Sequence, residues 1–226
     1  MQSFLQHIKL PINEKLYLKD PHSSEIGNNI LKESIELINE FGFEKFTFKK
    51  LATKISTTEA SIYRYFESKH KLLLYLINWY WSCIATRLLI ETSSIQDPIQ
   101  RLQKAIHILT ALPNPKSEQI LANENLLKQI VINEASKAFL TKEIDSENKD
   151  GVFSVYKSVV NNTVEMIQAI NPNYAFPNML VTTVIEGSNQ QRFFAKHLPK
   201  LTNSSSETDL VEQFYQDMTF KAIQHG

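Results

Sequence analysis

From Lys45 to Lys71 the sequence places seven basic side chains (Lys45, Lys49, Lys50, Lys54, Arg64, Lys69 and Lys71) against two acidic ones, Glu59 and Glu67. Their positions matter more than their number. Lys49 and Lys50 open one helical segment, and Lys69 and Lys71 open another. The partial positive charge of a helix N-terminus favours Asp or Glu there, so each lysine costs the free protein a few tenths of a kcal/mol. An external anion, such as a phosphate seated at those helix ends, would relieve both placements. Thr47, Tyr63 and Tyr65 add hydroxyls beside them. A merely solvated basic face is the competing reading.

Other chemistries lack their residues. The six histidines (His7, His22, His70, His107, His197 and His225) show no metal-ligand spacing, and there is no nucleophile elbow. The five glycines lie too far apart for a phosphate loop or a dinucleotide-binding turn. Glu124, Glu134 and Glu186 are the acids a helical bundle could use, but paired Glu-x-x-His motifs for a di-metal centre are missing. Cys83 is the only cysteine and sits in an apolar run, so it reads as a small buried hydrophobe. The expectation is a protein with no enzymatic activity, no cofactor and no metal, at home in a reducing, cytoplasmic setting.

The 226 residues carry 24 Lys+Arg and 24 Asp+Glu, so the basic cluster is hidden in a net charge of zero. Hydrophobic residues at 42% and charged residues at 21% exclude a wholly disordered chain. Met1 to Leu10 has no signal-peptide pattern. The most apolar run, Leu72 to Ala85 and on to Ile90, is interrupted by Asn78, Ser82, Thr86 and Arg87. Its unbroken part falls short of the ~20 residues that span a bilayer, so we expect a buried central helix and no membrane partner.

The elements that must position the basic cluster are all helical. Residues 1–24, with Pro11 and Pro21, read as an arm with a short extended piece at Lys15–Lys19. A helix follows over Ile26–Phe41, stopped by Gly42. A short helix over Phe48–Ile55 is capped by Thr47, and another over Glu59–Phe66 by Thr58, with Ile62 and Phe66 inward. Ser68 caps a longer helix to about Glu91. Breaks at Ser93–Pro98, Pro113–Ser117, Thr141–Asp150, Asn171–Pro177 and Pro199–Ser206 then separate helices over 99–112, 118–140, 151–170, 178–198 and 207–224. The fold class is all-α with nine or ten helices, and the short pair within 47–66 has the proportions of a helix-turn-helix.

The series Ile30-Leu31, Phe41-Gly42-Phe43, Phe46-Thr47-Phe48, Leu51-Ala52, Ser61-Ile62-Tyr63-Arg64-Tyr65-Phe66, Ser68-Lys69 and Leu72-Leu73 resembles the DNA-binding domain of the TetR family of bacterial transcription regulators. The resemblance covers about residues 26–75. It implies that Glu59, Ala60 and Arg64 face base edges. It implies that Thr47, Thr57, Thr58, Tyr63, Tyr65 and Lys69 grip phosphates, with Lys50 beside them. The chemistry suits these roles, since Arg can pair with guanine and Glu can accept from a cytosine amino group. Tyr63 is expected also to pack against the first helix. Two positions depart from the family pattern: Ser56-Thr57 stands where Gly and an apolar residue are common, and Ala60 replaces a frequent Gly.

The resemblance further implies three parts: an arm (1–24), a helix-turn-helix domain (25–70) and a helical regulatory domain (71–226). It implies a homodimer through helices 178–198 and 207–224, where Gly187 and Ser188 would let helices approach. It implies a small apolar or amphipathic effector, for which Trp81, His107, Asn133, Phe153 and Tyr156 are the candidates. The expected function is a ligand-responsive repressor that binds a near-palindromic DNA operator. The rival reading is a helical small-molecule-binding or adaptor protein whose DNA binding is lost or secondary.

Overall fold

The computed structural model describes residues 12–112, 124–205 and 207–225. Ten α-helices lie among the described residues, with no strand there. They are α1 (Glu25–Phe41), α2 (Phe48–Lys54), α3 (Glu59–Tyr63), α4 (Lys69–Thr92), α5 (Pro98–Thr110), α6 (Glu124–Phe139), α7 (Ile144–Lys149), α8 (Ser154–Ile170), α9 (Pro177–His197) and α10 (Val211–His225). The expected break at Pro113–Ser117 and the start of the 118–140 helix lie outside the described residues.

The helix starts follow from their caps. Ser24, Thr47 and Thr58 each adopt extended backbone and accept the N–H three residues on, from Gly27, Lys50 and Ser61. Such a cap contributes about 1 kcal/mol. Gly42 ends α1 at φ +78°, where a side chain would be strained. Two expectations are corrected. The piece at Lys15–Lys19 is not simply extended: a 3-10 turn, Glu14–Leu16, precedes extended backbone at Tyr17. The expected break at Thr141–Asp150 contains α7, whose single buried residue, Glu147, gave no apolar period to read. The third helix also ends early, at Tyr63, and Tyr65 and Phe66 continue in a turn that bonds back to the Ile62 carbonyl.

The chain forms two compact units, Met1–Ser82 with Asn114–Val155, and Cys83–Pro113 with Tyr156–Gly226. The sequence-based boundary at residue 70 differs from this division, because the segment after α5 returns to the first unit. There Asn39 donates to the Leu126 carbonyl at 3.1 Å, and Lys71 pairs with the buried Glu147 at 3.0 Å. The core of this unit gathers Ile30, Leu31, Phe46, Leu51, Ile62 and Phe66, each 2% exposed or less. Helix α4 is the one described helix long and apolar enough to cross a membrane, with mean hydropathy 1.3, and 67% of that stretch is buried within the fold.

In the first unit, residues 12–24 form a strap. Leu16 is buried, the Leu18 N–H donates to the Tyr65 carbonyl at 2.8 Å, and Asn13 and Lys15 both bind Asp150. Hydrogen bonding by Lys15 holds the Asp150 carboxyl below its ordinary range. The second unit packs α5, α8, α9 and α10 around Leu102, Ile106, Ile167, Val181 and Val184. Gly187 lies close against α10 of its own chain: a Cβ there would lie 2.1 Å from the hydroxyl of Tyr215. Ser188 is fully buried and bonded to the Ile185 carbonyl.

Candidate nucleic-acid interface

The turn between α2 and α3 closes by backbone bonds alone. The Ser56 N–H reaches the Thr53 carbonyl at 3.3 Å and the Thr57 N–H reaches the Ala52 carbonyl at 2.9 Å. This is the paired closure of a helix C-terminus that needs one left-handed residue. Ser56 takes that place at φ 53°, the only described non-glycine residue with positive φ. The departure from Gly is thus absorbed without changing the turn, at a cost of about 1 kcal/mol. Ser56→Gly is expected to raise the melting temperature by ~2–4 °C and to leave DNA affinity unchanged. Thermal denaturation checks it, and an unchanged or lower midpoint would mean that Ser56 carries no strain.

With Ile62 fully buried, α3 turns the opposite side outward. Glu59, Ala60, Tyr63 and Arg64 are all exposed on it. Their i, i+1, i+4, i+5 spacing makes one face of a helix. Thr47, Lys49, Lys50 and Thr58 are also exposed, and Thr57 is half-buried. The Tyr63 ring, 49% exposed, packs edge-on against Phe48 of α2 at 5.0 Å. Among the described residues, Arg64, Lys45 and Lys49 have no acidic partner within salt-bridge distance, and Lys54 has only Glu33 at 3.9 Å.

Three of the candidate phosphate contacts bond to groups of the chain itself. Tyr65 is 3% exposed; its hydroxyl shares a 2.8 Å hydrogen bond with Ser24 and receives one from Lys19 at 3.2 Å. The Ser24 bond, aided by Lys19, holds this phenol below its ordinary range despite burial. Lys69 donates to the carbonyls of Phe43, Glu44 and Phe46 at 3.2, 3.4 and 3.4 Å, and lies over the Phe43 ring. Lys50 donates to the Lys45 carbonyl at 2.8 Å. Lys71 is paired with Glu147. The lysines at the helix starts are therefore mostly relieved by oxygens of the chain itself. Lys49 alone keeps the arrangement that suggested an external anion.

The five effector candidates are divided between the two units. Trp81 and Phe153 are buried in the first unit, Phe153 against Phe139 at 5.5 Å, and Asn133 there is exposed. His107 and Tyr156 belong to the second unit. His107 Nδ1 lies 2.9 Å from Glu212, and the Tyr156 hydroxyl donates to Glu186 at 2.7 Å. Burial and that carboxylate push the Tyr156 phenol up, so it stays protonated. The second unit instead carries a groove of about 250 Å³ lined by Leu88, Thr92, Arg101, Asn162, Glu165 and Met166 among others. No periodicity marks it, because its lining alternates polar and apolar residues from the ends of α4, α5 and α8.

Residues 30–76 match the model for bacterial regulatory proteins of the tetR family. The chain is similar to the nucleoid occlusion factor SlmA of Shewanella frigidimarina (strain NCIMB 400), 29% identical over 101 residues, which are 44% of this chain and 51% of that protein. SlmA of Vibrio campbellii (strain ATCC BAA-1116) is 28% identical over 88 residues, 38% and 45% of the two chains. The chain thus spans about half the length of the curated relatives it matches. A bacterial regulatory protein in the tetR family from Rhodococcus RHA1 has the same fold, with TM-score 0.61 and 13% identity over 88% of this chain and 97% of that one. The structure of AibR in complex with isovaleryl coenzyme A and operator DNA gives TM-score 0.58 at 17% identity, over 86% and 96% of the chains.

Proposed function

We propose that this chain, whose residues 30–76 match the model for bacterial regulatory proteins of the tetR family, acts as a ligand-responsive repressor. It binds a near-palindromic operator as a homodimer. The observation that carries this reading is the single exposed face of α3, with Glu59, Ala60, Tyr63 and Arg64 outward over a buried Ile62. Arg64 reads a guanine edge and Glu59 a cytosine amino group. Thr47, Thr58 and Lys49 hold phosphates on either side and set the register.

The dimer forms through α9 and α10. Met179 and Phe214 support this, as large apolar side chains 68% and 54% exposed on those two helices. Two readers then meet half-sites about one DNA turn apart, or a multiple of it. The effector is a small amphipathic molecule held in the second unit. The groove lined by Leu88 and Met166 beside Arg101 and Glu165 supports that class, offering apolar and charged surface together. AibR, of similar fold, is in complex with both an acyl coenzyme A and operator DNA. Effector binding releases DNA by favouring a conformation in which the readers no longer fit their half-sites. The protein works in the cytoplasm, with DNA, its own second copy and the effector as partners.

Selection of duplexes from a random-sequence pool tests the reading. We expect an enriched inverted repeat whose half-sites are centred about one helical turn or a multiple apart. Enrichment of no sequence, or of a lone half-site, would overturn it.

A further inference from the structure

We infer that Glu134, which lies on α6 outside the residues matched by the family model, is a positioning residue for the DNA-reading helices. It acts through one peptide unit of the α1–α2 turn. The inference rests on the DNA-binding reading above, and its test separates the two.

The Phe43 N–H donates to Glu134 Oε1 at 3.1 Å, while the Phe43 carbonyl accepts Lys69 Nζ at 3.2 Å. The turn after α1 is thus held from both sides, by a carboxylate on α6 and an ammonium at the start of α4. The Lys69 grip extends to the carbonyls of Glu44 and Phe46, at 3.4 Å each. Glu134 is 6% exposed, and its second oxygen accepts Lys137 Nζ at 2.6 Å; that lysine also faces Glu44 at 3.7 Å. A carboxylate buried this far persists only where charge and hydrogen bonds satisfy it. Here one of those bonds comes from the reader's own backbone.

The clamped turn leads directly into Thr47, the cap of α2, and α2 and α3 are joined by the closed turn at Ser56. A shift of Phe43 therefore moves Thr47 and Lys49, and with them the register of α3 in the groove. Glu134 touches no DNA in this account. It fixes where the reader's first turn stands, as supporting residues fix a binding site to within a fraction of an ångström.

The test uses the full-length protein and the duplex that the wild-type protein enriches from a random pool. Glu134→Met is expected to weaken binding about tenfold without changing the salt slope, and Glu134→Gln, which keeps an acceptor for Phe43, to stay within about threefold of wild type. Lys69→Met is expected to weaken binding with the slope likewise unchanged. A slope reduced by about 2 for the dimer, one contact per reader, would make Lys69 a phosphate contact and break the clamp. Native-state hydrogen exchange reads the clamp directly: in Glu134→Met the Phe43 amide is expected to exchange at least about tenfold faster, with the amides of α8 unaffected. Wild-type binding by Glu134→Met, or an unchanged Phe43 exchange rate, would overturn the inference. So would equal losses for the Met and Gln variants. If the wild-type protein enriches no duplex, the DNA reading fails, and the Phe43 exchange rate still decides whether Glu134 holds the turn.

Discussion

Replacing Arg64 by alanine is expected to lower affinity for the selected duplex by about 10- to 100-fold, ~1–3 kcal/mol, and to flatten base preference at one position of each half-site. The expectation follows from what Arg64 lacks as much as from where it stands. It is exposed at the C-terminal end of α3, with no acidic partner among the described residues. Its removal leaves no buried group unpaired, so the melting temperature should hold, surface substitutions of this kind changing stability by about 0.5 kcal/mol or less. Lys49→Ala gives the contrast. A lysine that grips phosphate serves every sequence equally, so its removal weakens all duplexes alike and reduces the salt slope by about 1 per reader, about 2 for the dimer. Arg64→Ala with base preference intact would show that α3 does not read sequence through this side chain.

The second large effect concerns the strap. Glycine-to-alanine within a helix ordinarily gains up to about 1 kcal/mol, yet at Gly27, in the first turn of α1, it is expected to destabilise. A Cβ at Gly27 would stand 2.2 Å from the Pro21 carbonyl oxygen and 2.8 Å from its carbonyl carbon and Cα. These are backbone atoms of a buried residue in a 3-10 turn capped by Asp20, and no rotamer change relieves the clash. Overpacking costs of ~1–3 kcal/mol exceed the helical gain. Displacing Pro21 also loosens the Tyr17–Tyr75 and His22–Trp79 ring pairs and the Lys19 bond to Tyr65. The net loss should be ~2 kcal/mol, a fall of ~4–8 °C in the thermal midpoint followed by circular dichroism. A higher midpoint than wild type would show that the strap does not lie against α1.

Local signals were legible in the sequence. Thr47, Thr58 and Gly42 do what their residue types suggest, because a cap depends on atoms within three or four residues. The outward face of α3 was readable for the same reason, since Ile62 fixes its inner side. The lysines at the helix starts were not. Charge pattern located Lys50, Lys69 and Lys71 correctly but could not foresee their partners. Lys69 finds its carbonyls 23 to 26 residues upstream, and Lys71 finds Glu147 76 residues downstream. Long flexible stems reach whatever oxygens the tertiary fold brings near. Tyr65 went the same way, since its inward position depends on Lys19 and Ser24 in a strap with no periodicity.

Glu134 carried a faint signal, a carboxylate directly after Ile130-Val131-Ile132-Asn133 on a helix. A buried acid in such a place needs a partner, and sequence alone could not name a backbone N–H in the α1–α2 turn. The groove of the second unit was less legible than the aromatic positions. Aromatic residues at helical spacing, such as Trp81 and Phe153, filled the core, and the groove of the second unit is built from mixed residues that form no stripe. Gly187 likewise answered to Tyr215 of the same chain.

The salt dependence of binding to the selected duplex decides whether α3 and its flanks read DNA. Lys45, Lys49, Lys54 and Arg64 on each reader would release condensed counterions on docking. Fluorescence anisotropy across a salt series should then give a log–log slope of about −7 for the dimer. A slope near zero, or no binding by the folded protein at low salt, would contradict the assignment of α3 and its flanking residues as a DNA reader.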